Sequence, residues 1–283
     1  MKQTHTFHIP VMGTAFTADT PLKVAQYGID SVVSIVDDVL LERLRKVYSE
    51  KHGFDYIEIK KSIKDHRANR ITSYLNLLNE LTQKKFDEFI ESTNEKFDEI
   101  QKYFSLLPNS SDLKAEFYNL IDGSFSYEEL KKWLSENLTF GSIDVNIMTK
   151  VDKSNFFKNE ELSVEFNDAH AALRGYAMSD LASSVIFSAG MNPRLYGYIS
   201  NFDDFYPNET GYIKKKIVLK VSDYRSAIIQ GKFLAKKGLW VSEYRIESGL
   251  NCGGHAFATD GLLMGPILSE FRDNKDELIK QTY

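Results

Sequence analysis

The chain has 283 residues, with 35 Lys and Arg against 40 Asp and Glu and a formal net charge of −5. This balance argues against a uniformly basic nucleic-acid-binding protein, and 42% hydrophobic with 27% charged residues is typical of a globular protein. The single cysteine cannot form an intramolecular disulfide, no apolar run approaches the ~18 residues of a membrane span, and the N-terminus does not have the pattern of a signal peptide. We therefore expect a cytoplasmic protein with no nucleic-acid or membrane partner.

The first 37 residues predict one strand–helix–strand unit. Residues 7–11 are short, apolar and rich in β-formers, and residues 31–36 form a β-branched run that suits a buried parallel strand. Between them, Thr20 and Pro21 occupy the favoured N-cap and first positions of a helix, and Gly28 ends it.

Residues 38–137 have a different texture and predict a helical insertion. Large apolar residues recur there at spacings of three, four or seven within Lys- and Glu-rich sequence, which is helical periodicity. Ser126 and Glu129 form a capping box that predicts the start of one of these helices.

After the insertion the strand–helix alternation resumes. We predict strands at Ile143–Met148, 195–200, 217–221 and Val241–Ile246. Helices are predicted at 168–189, 224–237 and 262–280.

Regular βα alternation predicts an α/β protein, either an open doubly wound sheet or a closed barrel. No G-x-G-x-x-G motif follows the first strand, which weighs against a dinucleotide-binding sheet. We therefore predict a TIM-type (β/α) barrel formed by residues 1–37 and 138–283, with residues 38–137 as the helical insertion. Only six βα units can be read, two fewer than a closed barrel needs, so we expect the barrel to be C-terminally incomplete.

The active site of such a barrel lies at the carboxyl ends of its strands. Met12 and Gly13 follow the first predicted strand, Asn146 lies in the third, and Lys220 lies near the end of the fifth. The most unusual segment follows the last strand: adjacent glycines precede a histidine, so the backbone there can approach a flat ligand and hold an imidazole over it. A tight turn in which the histidine caps the next helix is the alternative.

Gly253, Gly254 and His255 resemble the Gly-Gly-His loop of the nitronate monooxygenase family, also called 2-nitropropane dioxygenases, which are FMN-dependent barrel enzymes. Residues 9–13, Ile-Pro-Val-Met-Gly, are similar to the first strand of that family. Residues 140–148 and 220–238 are similar to its third strand and to the unit before its histidine loop. Asn251 and Cys252 depart from the usual Glu and Ala of the loop, and the long helical insertion is not typical of the family.

The resemblance implies FMN as cofactor and His255 as a catalytic base that takes a proton from a small nitro- or carbonyl-activated substrate. It also implies that FMN contacts Pro10, Met12 and Gly13 on the first strand, Asn146 and Lys220 on later strands, and Gly253 and Gly254 in the loop. No metal is expected, since His5 and His8 would point to opposite faces of a strand.

Two other functions stay open at this stage. The first is a flavin-dependent enoyl reductase, an activity that occurs on the same scaffold. The second is a non-catalytic scaffold whose helical insertion binds a partner. Because FMN barrels usually hold the phosphate after strands seven and eight, we expect the chain alone to bind FMN poorly. A homo-oligomer, or a further C-terminal segment that completes the barrel, is then an expected partner.

Overall fold

The fold is a mixed α/β arrangement in a computed structural model that describes residues 8–13, 17–188, 190–247 and 264–283. The strands are β1 His8–Ile9, β2 Asp30–Ser34, β3 Ile143–Met148, β4 Phe156–Phe157, β5 Glu160–Glu161, β6 Ser184–Ser188, β7 Lys216–Val221 and β8 Val241–Ile246. The helices are α1 Pro21–Val24, α2 Asp38–His52, α3 His66–Glu91, α4 Phe97–Ser105, α5 Asp112–Asp122, α6 Tyr127–Asn137, α7 Asp168–Ala177, α8 Pro193–Ile199, α9 Tyr224–Ala235, α10 Met264–Asp273 and α11 Lys275–Thr282. None of the helices in the described ranges is long and apolar enough to cross a bilayer.

Six strands form one curled parallel sheet in the order β1-β2-β3-β6-β7-β8. The order follows the chain, so each helical connection returns the chain to the neighbouring position on the same side. A half-barrel results, and this much of the predicted architecture is confirmed. The remaining two strands, β4 and β5, form a small antiparallel hairpin through a turn in which Lys158 and Asn159 have positive φ.

The main core lies between the outer face of the sheet and the helices. Val33, Val145 and Leu219 contribute from the strands, and Tyr74 from α3 and Leu173 from α7 cover them. Gly175 permits close packing between α3 and α7, because a Cβ at this position would lie 2.8 Å from the Ile71 side chain.

A second hydrophobic core lies within the predicted insertion. It begins at Phe86 in the C-terminal half of α3 and continues through α4, α5 and α6 to Leu138. Phe104 and Phe117 stack at its centre, with ring centroids 3.8 Å apart. Residues 38–137 are all described and contain helices but no strand. The capping box is present as predicted: the Glu129 amide donates to Ser126 Oγ, and the Ser126 amide donates to the Glu129 carboxylate.

The fourth strand of the sheet corrects the sequence interpretation. The predicted strand at 195–200 is helix α8, because Pro193 occupies its first turn and the Asn192 side chain accepts a hydrogen bond from the Leu195 amide. The strand is Ser184–Ser188 instead, inside the segment predicted as a helix over 168–189, which ends at Ala177.

Two smaller corrections concern helix ends. Thr20 precedes α1, but its side chain makes no capping hydrogen bond, and the turn that ends at Gly28 is a 3₁₀ segment over Ala25–Tyr27. The predicted last helix is divided into α10 and α11 at Asn274. Its first two predicted residues, 262 and 263, lie outside the described ranges.

Candidate functional site

The inner, concave face of the sheet carries the candidate site. Val32, Ile186 and Val218 pack together there with Val11, on the side opposite the main core. Side chains alternate along a strand, and paired residues on neighbouring strands share a face. Asn146, which pairs with Ser34 and with Ile186, therefore lies on this concave face.

Lys220 lies on the same face, two residues beyond Val218 on β7. Its Nζ is 2.7 Å from Glu247 Oε1, and both side chains are largely buried. The positive charge of Lys220 is therefore shared with a neighbouring carboxylate. Glu247 is not among the residues predicted from the sequence.

The Asn146 side chain makes no hydrogen bond within the described part of the chain, although the residue is only 5% exposed. The Oγ of its strand partner Ser34 is also buried without a partner. A primary amide offers two donors and an acceptor, so an unpaired one at the carboxyl half of a central strand suits a ligand with a mixed polar edge.

A charged cluster that sequence reasoning missed joins three strands across the concave face. Arg245 of β8 is 2.5 Å from His8 Nε2 of β1, 2.5 Å from Glu243 Oε1 and 3.7 Å from Asp144 Oδ2 of β3. The Asp144 carboxylate also accepts hydrogen bonds from the Ser184 amide and the Ser142 hydroxyl. The sequence shows only that each of these residues lies on a strand. It does not show that the sheet curls enough to bring its two outer strands together.

Burial dominates the protonation of this cluster. It raises the pKa of Asp144 to about 6, against the opposing effect of the two hydrogen bonds and Arg245. Burial and then the charge of Arg245 lower the pKa of His8 to about 4. His8 is therefore a neutral acceptor for the Arg245 guanidinium at neutral pH.

The residues predicted on the first strand lie at its carboxyl end. Pro10 and Met12 are exposed, Met12 by 75%. The Gly13 carbonyl accepts hydrogen bonds from the Thr17 amide at 3.2 Å and from Thr17 Oγ1 at 2.6 Å. Gly253, Gly254 and His255, which carry the predicted catalytic loop, lie outside the described residues.

A buried histidine–carboxylate pair is also present at the carboxyl edge. His170 Nδ1 is 2.9 Å from Asp152 Oδ2, and Asp152 Oδ1 accepts the Ala169 amide at the start of α7. His170 is only 2% exposed. The pair therefore fixes the loop between β3 and α7 and does not present an imidazole to a ligand. Among the described residues no group of His, Cys, Asp and Glu has the geometry of a metal site.

Comparison of the chain with protein-family models, with curated proteins and with solved structures gave no match in any of the three.

Proposed function

We propose that the chain is an FMN-dependent oxidoreductase of the nitronate monooxygenase-like class, on a TIM-type (β/α) barrel of which the curled six-stranded sheet is a part. The supporting fold observation is the order of its parallel strands, which is the order that a singly wound barrel requires. The family itself rests on the resemblance of the sequence motifs described above.

One observation carries the cofactor proposal: the unpaired amide of Asn146 on the concave face. The pyrimidine edge of a flavin presents alternating donors and acceptors, and Asn146 has both kinds of group available. Lys220, on the same face, would place a positive charge near this edge, moderated by Glu247. The backbone at Met12 and Gly13 would lie against the ring.

Bound FMN would supply the redox chemistry, since it can accept an electron pair and a proton from a substrate. The chain would supply the base. The resemblance gives this role to His255, since histidine is the side chain that most often removes an acidic proton as a general base near neutral pH.

Flavin titration of the purified chain tests this proposal. We expect saturable changes in the flavin absorbance spectrum with both FMN and riboflavin, because Asn146 and Lys220 would contact the ring system that the two ligands share. Asn146→Ala should weaken binding of both flavins, by about tenfold for the loss of one or two hydrogen bonds. Ser31→Ala is the matched control, since Ser31 is also buried but lies on the opposite face of β2. Absence of saturable binding by the wild type would refute the proposal.

A further inference from the structure

A groove between α2 and the segment that follows it has the features of an anion-binding site. One wall is a stripe of α2 at helical spacing, Val39, Arg43 and Lys46. The other wall is the irregular segment after α2, which contributes Tyr56, Glu58, Lys60 and Lys61. The groove has a volume of about 630 Å³, which is within the range of small-molecule sites.

The second wall is held firmly although it has no regular secondary structure. Arg45 donates to the Ile57 carbonyl at 2.6 Å, and Arg70 donates to the Ile59 carbonyl at 2.8 and 2.6 Å. Glu42 accepts the Ile59 amide at 2.9 Å. Three buried charged side chains thus hold the backbone of this segment in place against α2 and α3.

These buried charges neutralise one another and leave the exposed ones free. Glu42 pairs with Arg45 at 2.7 Å, and Arg70 pairs with Asp38 at 2.9 Å. Burial raises the pKa of Glu42, but the hydrogen bonds from Arg45 and the Ile59 amide outweigh this effect and hold the pKa below its ordinary value. Glu42 therefore stays ionised.

The exposed cations of the groove have no comparable partners. Within the part of the chain that the structure describes, Arg43, Lys60 and Lys61 make no salt bridge, and Lys46 makes only a solvent-exposed one at 3.8 Å with Glu50. Glu58 is the one exposed acid among the lining residues. This excess of positive charge occurs on a protein whose net charge is −5.

We infer that this groove binds a small ligand that carries two or more linked phosphate groups. Cations on two facing walls suit an elongated anion with several charges better than a single carboxylate.

The test is calorimetric titration of the full chain with tripolyphosphate and pyrophosphate, and with citrate, whose charge at neutral pH is close to that of pyrophosphate. We expect saturable tripolyphosphate binding that weakens with added salt, and weaker binding of citrate. The double variant Lys60→Gln with Lys61→Gln should bind tripolyphosphate at least about tenfold more weakly, since each lost charge-assisted hydrogen bond can account for that factor. Arg43→Gln, on the facing wall, should also weaken binding.

The matched control is Lys236→Gln with Lys237→Gln, an exposed lysine pair at the end of α9 that removes the same charge elsewhere. It should keep the wild-type affinity to within about twofold. Equal weakening in both double variants would show non-specific attraction, and equal affinity for citrate would overturn the phosphate assignment. An absence of saturable binding by the wild type would overturn the site itself.

Discussion

Arg245 of the last strand of the sheet donates to His8 of the first strand, with 2.5 Å between Nη1 and Nε2. The two residues are 237 positions apart in the chain and lie on opposite edges of a six-stranded sheet. A flat sheet would keep these edges far apart, so the contact is a direct consequence of the curl. Arg245 also approaches Asp144 on β3, and in this way one guanidinium links both edges to the middle of the sheet.

Removal of this guanidinium should destabilise the fold. Arg245→Ala leaves the buried Asp144 carboxylate without its nearby positive charge, and we expect a loss of about 3 kcal/mol in the free energy of unfolding. Urea denaturation measures this loss in the free energy of unfolding. Arg272→Ala, which removes an exposed arginine paired with Asp273, is the control and should have no measurable effect. Equal stability of the two variants would contradict a structural role for Arg245.

Asp144 should make the stability pH-dependent in an unusual direction. Its pKa of about 6 lies above the ordinary value of 3.8, so the folded state takes up a proton more readily than the unfolded state. Asp144 then contributes most to the free energy of unfolding below about pH 4. This contribution, about 3 kcal/mol in total, is lost as the pH rises through 6.

The Asp144→Asn variant isolates this contribution, because an amide oxygen can still accept from Ser184 and Ser142. The difference in unfolding free energy between wild type and variant should change between pH 4 and 7 and stay constant above pH 7. An identical pH profile in both proteins would show that Asp144 does not titrate in this range.

Gly175 should be intolerant of a side chain. A Cβ there would lie 2.8 Å from Ile71 Cβ and 2.9 Å from the Ala68 carbonyl, so Gly175→Ala must separate α7 from α3. We expect destabilisation of about 1–3 kcal/mol, the typical effect of overpacking. Gly265→Ala in α10 is the control: a Cβ there meets open space, and alanine favours the helix. Thermal unfolding of both variants decides whether the helix contact is as close as described.

His255→Ala should separate catalysis from binding. If His255 is the base, the variant keeps the flavin affinity of the wild type and lowers turnover of a nitroalkane by about 10²–10⁴-fold. His52→Ala, on α2, is the control and should leave turnover unchanged. Unchanged turnover in His255→Ala would remove the catalytic role from this histidine.

The strands with strong local signals could be predicted from the sequence. Ile143–Met148 and Val241–Ile246 have the predicted bounds, and the predicted strand at 217–221 begins one residue early in the structure, at Lys216. Ile143–Met148 and Lys216–Val221 are rich in β-branched residues and are mostly buried, and burial on both faces selects the strand over the helix. Val241–Ile246 is an edge strand of the sheet and is partly exposed.

The exchange of strand and helix around residues 168–200 has a local cause. The alanine-rich start of α7 has high helix propensity and hides the end of the helix at Ala177, while residues 195–199 are mostly aliphatic and aromatic, a composition that is common in strands. The decisive groups are Asn192 and Pro193, which begin α8, and their effect depends on a single side-chain hydrogen bond.

The candidate site could be predicted only where it follows from strand position. Asn146 and Lys220 share the concave face, as parallel strands with this alternation require. The Lys220–Glu247 pair depends on the register of β8 against β7, and the Arg245 cluster depends on the curl of the sheet.

The 26 residues of α3 are divided between the two hydrophobic cores, with Tyr74 in the first and Phe89 in the second. Its two ends therefore depend on different sets of contacts. Opening of the aromatic core around Phe104 would free the amides near the C-terminal end of α3 for hydrogen exchange, while those near Tyr74 would stay protected until the sheet itself unfolds. One continuous helix would thus show two exchange rates, with the step between them close to Phe86.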